Sequence, residues 1–360
     1  MVADVIDLRS DTLTRPDAEM RRAMAEAEVG DDAAGEDPTV RRLEEEAAAA
    51  LGQEASLFVP SGTMGNEIAL HLLARPGSEV ICEARSHIVH LEMGAMAVIS
   101  GLLPRVIPSP TGRLAPAAVE AMIAPPQRAR TGLIVIENSH NFAGGTVYDR
   151  AQEEAILAVA RRHRIPVHLD GARIWNAAEA LGTTPAVLAA GFDSIQFCLS
   201  KGLGAPVGSL LCGSAAFVAE ARRVRKMLGG AMRQAGVIAA AGLVALRKGP
   251  GRLAEDHANA RLLAAAVAEL PGVELDPAAV VTNILVFRLT PELFGGGIGG
   301  VTPTEGLTAA FLKRLQEHGV LASPISQDEA RMVTHRDVPR ERIEAAIARL
   351  RQAFAVPATV

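Results

Sequence analysis

The chain has 360 residues, 49% of them hydrophobic and 21% charged, with a formal net charge of -5. That length holds one large core plus a smaller appended domain, and that composition excludes a disordered chain. The acidic balance, without a long basic run, argues against nucleic-acid partners and against attraction to an anionic membrane.

Met1 to Thr14 alternates charged and apolar residues and carries no apolar core of a secretory signal. Within it, Asp7 to Thr14 is polar and is soon followed by Pro16, which predicts an extended arm. Pro16 to Ala27 has helical spacing, with Met20, Ala23, Met24 and Ala27 on one face. Gly30 to Pro38 is an acidic loop, and Thr39 to Leu51 a helix that Gly52 ends.

Strands and helices then alternate. Ser56 to Val59 is a strand, and the turn Pro60 to Asn66 opens a helix over Glu67 to Leu73. Glu79 to Cys82 is a strand, Ile88 to Ile99 a helix, Pro104 to Ile107 a strand and Pro116 to Ile123 a helix. Leu133 to Glu137 is a buried strand, Ala151 to Arg162 a helix, and Pro166 to Leu169 a strand ending on Asp170. Ser194 to Leu199 is the next strand and Ser209 to Cys212 follows. Gly202 to Ala219 is uncharged, but its glycines, proline and serines favour strand–turn–strand over a membrane span. The alternation predicts an α/β fold with a mostly parallel sheet covered on both faces.

Ala231 to Leu246 is an almost uncharged helix, hence buried in a core or an interface. A long helix over Leu253 to Leu270 leads into a small α+β unit. It comprises a strand (Ile284 to Leu289), a glycine-rich loop (Gly295 to Gly300), a helix (Leu307 to His318), a strand (Met332 to Thr334) and a helix (Arg340 to Phe354). The predicted boundaries are 1–252 for the large domain, with an arm over 1–15 reaching the active site, and 253–360 for the small one. Cys82, Cys198 and Cys212 lie in apolar runs without metal-ligand spacing, and read as reduced core thiols of a cytoplasmic protein.

In such sheets, ligands bind at the carboxyl ends of the strands. Ser61, Gly62 and Thr63 follow the first strand at a helix N-terminus, which suits a phosphate. His87 follows the second, and Asn138-Ser139-His140-Asn141 follows the strand ending at Glu137. Asp170-Gly171-Ala172-Arg173 comes next; a carboxylate at a buried strand end requires a cation, which Arg173 or a protonated pyridine nitrogen supplies. Ser200-Lys201-Gly202 ends the lysine strand. A lysine desolvated there becomes an amine nucleophile. Phosphate turn, stacking ring, acid and lysine, in that order, describe a pyridoxal phosphate site.

The motifs Asp7 to Thr12, Gly35 to Pro38, Pro60 to Asn66, Glu137 to Asn141, His168 to Arg173, Ser200 to Gly208, Met232 to Gln234 and Arg331 to His335 span nearly the whole chain. In them the sequence resembles the low-specificity L-threonine aldolase family, within the β-eliminating lyase group of fold-type I pyridoxal phosphate enzymes. The resemblance implies aldol cleavage of L-threonine or L-allo-threonine to glycine and acetaldehyde. It implies Lys201 as the Schiff-base lysine, Asp170 as partner of the ring nitrogen and His87 as the stacked residue, with Gly62 and Thr63 at the phosphate. Arg173, near the ring hydroxyl, together with Ser10 and Arg331, takes the substrate carboxylate; Glu92 and His140 face the substrate hydroxyl. Lys226 and Arg233 reach a neighbouring subunit's site, Arg233 at its phosphate, in a homotetramer. No metal ligand set is implied. A carboxylate fixed in the plane of the ring cannot leave, so Cα–Cβ cleavage becomes possible, with His87 or His140 as the base for the hydroxyl proton. Another β-eliminating lyase or an aminotransferase is the alternative within this cofactor class, and a cofactor-free α/β binding protein the alternative outside it.

Overall fold

The computed structural model describes residues 4–125, 127–294 and 306–354. The predicted glycine loop Gly295 to Gly300 lies outside them. Arg15–Gly251 forms one compact unit; the described residues up to Thr14, with those from Arg252 onward, form the other. The arm therefore groups with the C-terminal unit. Ile6 and Asp7 pair in parallel with Val320 and Leu321, and Ile6 and Leu8 are fully buried in that unit's core.

The larger unit is built on seven strands: β1 (Ala55–Val59), β2 (Glu79–Glu83), β3 (Leu103–Ile107), β4 (Thr131–Glu137), β5 (Val167–Asp170), β6 (Ser194–Cys198) and β7 (Ser209–Gly213). Their order is β1-β7-β6-β5-β4-β2-β3. Pairing is parallel from β6 through β3, while β7 runs antiparallel to both β1 and β6. Six strands thus end on one edge, and β7 starts there. The central strands β4, β5 and β6 are buried along their whole length, as expected of near-continuous apolar strands covered on both faces.

Several helices differ from the sequence reading. The helix after β1 spans Gly62–Leu73, beginning at Gly62 and not at Glu67, because Ser61 Oγ caps it by accepting from Met64 N at 3.2 Å. The helix expected over Ile88 to Ile99 is two short pieces, His87–His90 and Ala95–Val98. Met93 and Gly94 break it, with φ of 53° and 74°, a left-handed conformation that no helix propagates. Helices Ile174–Leu181, Pro185–Ala189 and Ala215–Met227 were not anticipated. The last corrects the end of the strand–turn–strand reading: Ser214 caps a helix whose Val218, Ala221 and Val224 are buried. Helix Gly236–Lys248 buries most of its circumference, as its composition predicts, and Gly242 lets it approach Leu199 and Leu43 closely.

The smaller unit has a four-stranded antiparallel sheet, ordered Ser323–Pro324, Glu329–Val333, Ile284–Leu289, Val273–Glu274. Helices Leu253–Ala268, Leu307–Glu317 and Arg340–Ala353 accompany it. Phe311 anchors its core, edge-on to Phe287 at 5.6 Å and stacked on Phe354 at 5.0 Å. Among the described residues, no helix is long and apolar enough to cross a membrane.

Candidate active site

The edge where six strands end carries a connected set of polar side chains. Asp170 is the last residue of β5 and is buried. Its Oδ1 accepts from Ala172 N at 3.1 Å and its Oδ2 from Asn66 Nδ2 at 2.9 Å. The same Asn66 Nδ2 donates to Glu92 Oε1 at 2.8 Å, and that oxygen also binds His87 Nδ1 at 2.8 Å. Asn66 is held from behind: its Oδ1 meets His168 Nε2 at 3.0 Å, and His168 Nδ1 meets Ser194 Oγ at 2.7 Å. Oriented this way, the amide presents its NH2 group to two carboxylates at once. Sequence reasoning placed Asp170, Glu92 and His87 here and missed Asn66, His168 and Ser194. Both Asn66 and His168 stand inside motifs that sequence reading singled out, but a hydrogen-bond hub leaves no periodic signal.

His87 opens the short helix His87–His90, positioned by Glu137, whose Oε2 accepts from His87 N at 2.8 Å. Burial would lower the His87 imidazole, but Glu92 and Asp170 outweigh burial and the nearby Lys201 and hold it above its ordinary value. Asp170 and Lys201 are thus both within electrostatic reach of the same ring. Lys201, half-buried, follows β6 in the loop that turns into β7. Ligand atoms of His87, Glu92 and Asp170 lie within 4.8 Å of one another, a closeness that the bonds through Asn66 and His87 account for.

His140 is fully buried, with Nε2 on Glu83 Oε2 at 3.0 Å. Burial opposes its charge, but Glu137 and Glu83 raise it above the usual imidazole value. Neighbouring Asn141 donates its N–H to Glu137 Oε1 at 2.7 Å and accepts from Arg173 NH1 at 3.3 Å. Arg173 is buried and joins the network. Lys226 is exposed at the end of its helix, and exposed Arg233 pairs with Asp31 Oδ2 at 3.0 Å. In the smaller unit, Ser10 caps the turn Asp11–Leu13 by accepting from Thr12 N, and Arg331 NH2 donates to the adjacent Arg9 O at 3.3 Å. Ser10 and Arg331 are therefore neighbours within that unit.

The donor set suits pyridoxal phosphate. The helix at Gly62 offers first-turn N–H groups, which have no intrahelical acceptor, at its positive end. A Cβ at Gly62 would stand 2.9 Å from Cys198 Sγ and one at Gly65 2.7 Å from Gln196 Cγ. Glycine is thus what lets this helix start directly against β6. A flat imidazole, a buried carboxylate at a strand end and an amine complete the set.

Residues 7–290 match the family described as "Beta-eliminating lyase". The chain is 42% identical to the low-specificity L-threonine aldolase 1 of Arabidopsis thaliana, over 98% of each chain. It is 40% identical to the low specificity L-threonine aldolase of Escherichia coli K12, over 94% of this chain and 96% of that one. Among solved structures, Leishmania major threonine aldolase superposes with a TM-score of 0.80 at 20% identity, covering 97% of this chain and 100% of that one.

Proposed function

The chain belongs to the β-eliminating lyase family, and from that premise we propose that it cleaves L-threonine and L-allo-threonine to glycine and acetaldehyde with pyridoxal phosphate. The observation that carries this reading is the network Asp170–Asn66–Glu92–His87 at the strand-end edge, with Lys201 within electrostatic reach of the same imidazole. Its support from relatives is the high identity over nearly the full chain.

When bound, the cofactor supplies an electron sink at the substrate Cα. In our assignment, Lys201 would hold the cofactor covalently, Asp170 would face its ring nitrogen, and His87 would lie against its ring. Gly62 and Thr63 take the phosphate, with Arg233 from a neighbouring subunit. Arg173, Ser10 and Arg331 bind the substrate carboxylate; a bidentate guanidinium fixes such a group in orientation as a lysine does not. A carboxylate so held stays on Cα, and the bond that breaks is Cα–Cβ.

Breaking that bond requires removal of the β-hydroxyl proton. Glu92 ties Nδ1 of His87 and Glu83 ties Nε2 of His140. Each carboxylate fixes the N–H on the tied nitrogen and leaves the other nitrogen to accept a proton. Glu92 acts through His87 at the hydroxyl. Lys226 we assign, with Arg233, to a partner's site in a tetramer. We place the enzyme in the cytoplasm, where its three free, buried cysteines stay reduced, and in threonine breakdown and glycine formation.

The test is an assay of the purified protein with L-threonine, L-allo-threonine and their D-forms, following acetaldehyde and glycine. Equimolar products from the L-forms alone are expected. Pyridoxamine phosphate accumulating in place of acetaldehyde would favour an aminotransferase.

A further inference from the structure

We propose that Glu67 is a positioning residue of this site: it retains a proton and donates it to Oε2 of Glu92, so that Glu92 remains the single anion whose Oε1 fixes His87. The proposal rests on the roles given above to His87 and Glu92.

Glu67 lies in the helix Gly62–Leu73, directly after Asn66, and is 1% exposed. Among the described residues, neither of its oxygens has a hydrogen-bond partner, and neither does Oε2 of the 2% exposed Glu92. Unpaired buried oxygens are costly. The two carboxyl groups are close enough to act on each other by charge and hydrogen bond. Two carboxylates at that range cannot both ionise, and one shared proton satisfies an oxygen on each.

Which group keeps the proton follows from the other contacts. Glu92 Oε1 accepts from both His87 Nδ1 and Asn66 Nδ2, and such donors favour the anion. Apart from Glu92, the polar group acting on Glu67 is the neutral Ser100 hydroxyl. Burial, followed by the charge of Glu92, pushes Glu67 up to about 8. Several titratable groups on the surrounding elements have partners of their own. Asp170 and His168 of β5 bind Asn66, and Glu137 of β4 binds two backbone N–H groups. Arg222 and Arg225 of the helix Ala215–Met227 pair with Glu44 and Asp32.

Glu67→Gln keeps a donor but cannot ionise, and Glu67→Leu removes the donor. We expect Glu67→Leu to lose roughly tenfold or more in kcat, with KM less affected, and Glu67→Gln to stay within about threefold of the parent. The parent's alkaline limb near the Glu67 value should disappear in Glu67→Gln. Two readouts on cofactor-free protein are independent of turnover. An infrared difference spectrum, parent minus Glu67→Gln, should show a protonated carboxylic acid at neutral pH. The melting temperature should also fall with pH more steeply in the parent. The folded state keeps its Glu67 proton well above the unfolded value of 4.5, so this group's contribution declines as pH rises from there to about 8. Glu67→Gln as damaged as Glu67→Leu, an unchanged alkaline limb, a missing acid band or identical melting slopes would each overturn the proposal. A parent protein that leaves threonine intact would instead sink the aldolase reading, with the infrared and melting tests still valid.

Discussion

Two imidazoles at this edge each give one ring nitrogen to a glutamate, His87 to Glu92 and His140 to Glu83, so single substitutions can separate their roles. His87→Asn should lower both cofactor retention and kcat, because His87 is assigned the ring face as well as a proton. His140→Asn should lower kcat while the absorbance of bound cofactor stays at the parent level; cofactor loss in that variant would contradict the division. Lys201→Ala should abolish turnover and the long-wave absorbance of the attached cofactor, and an active yellow variant would refute the lysine's role. Arg331→Ala should act mainly on KM, since carboxylate pairing is largely a ground-state contact; an unchanged KM would remove it from the carboxylate clamp. Lys201, Asp170 and His87 were legible in the sequence because each follows a recognisable strand and is chemically out of place there. Asn66, His168 and Glu67 were not, because their importance is a set of contacts that only folding creates.

At the scale of elements, periodicity located all seven strands of the larger sheet, and their apolar runs explain why. It failed where local backbone decides. No pattern announces the left-handed pair Met93 and Gly94 that splits the helix after β2. The missed helix Ala215–Met227 is a stretch whose glycine-rich, uncharged approach overrode its own amphipathic spacing. The start of the helix Gly62–Leu73 depends on glycine for clearance, which a propensity scale counts as unfavourable. Gly62→Val should therefore push the first turn away from Cys198 and Gln196, weakening cofactor retention by roughly tenfold or more, an estimate that assumes an overpacking cost above ~1.4 kcal/mol. Equilibrium dialysis of cofactor from the variant checks this, and parent-like retention would count against the phosphate turn. Gly208, with φ of 109° and the Phe58 ring against it, is a second such position, and Gly208→Ala should lower stability without touching any assigned residue.

For the whole molecule, pH sets stability through groups that the fold buries. Burial raises Glu153 to about 8 and Asp256 to about 7, alongside Glu67. The folded state holds these protons after the unfolded chain has released them, so their stabilisation declines as pH climbs from the carboxylate range. Burial lowers His168 and His257 to about 4; these favour folding above the unfolded histidine value of 6.5 and oppose it as pH falls from there. The raised imidazoles of His87 and His140 lose their contribution as pH rises. Above pH 6.5 the contribution of the two lowered histidines levels off, while the raised acids and the raised imidazoles go on losing theirs, so a melting series from there to about 8 should show a net decrease; a flat or rising series would show that the buried acids do not govern it. The reversed strand β7 has a mechanical meaning of its own. It stands between β1 and β6, and the turn that leaves β1 crosses over it, since Gly62 lies against Cys198 at the end of β6. A cofactor held as proposed, by the turn at Gly62 and covalently at Lys201, would staple two chain segments that are remote in sequence. Held in that way, it would work as a cross-link that slows opening of the sheet, and the enzyme's half-life on heating would become a property of its vitamin supply.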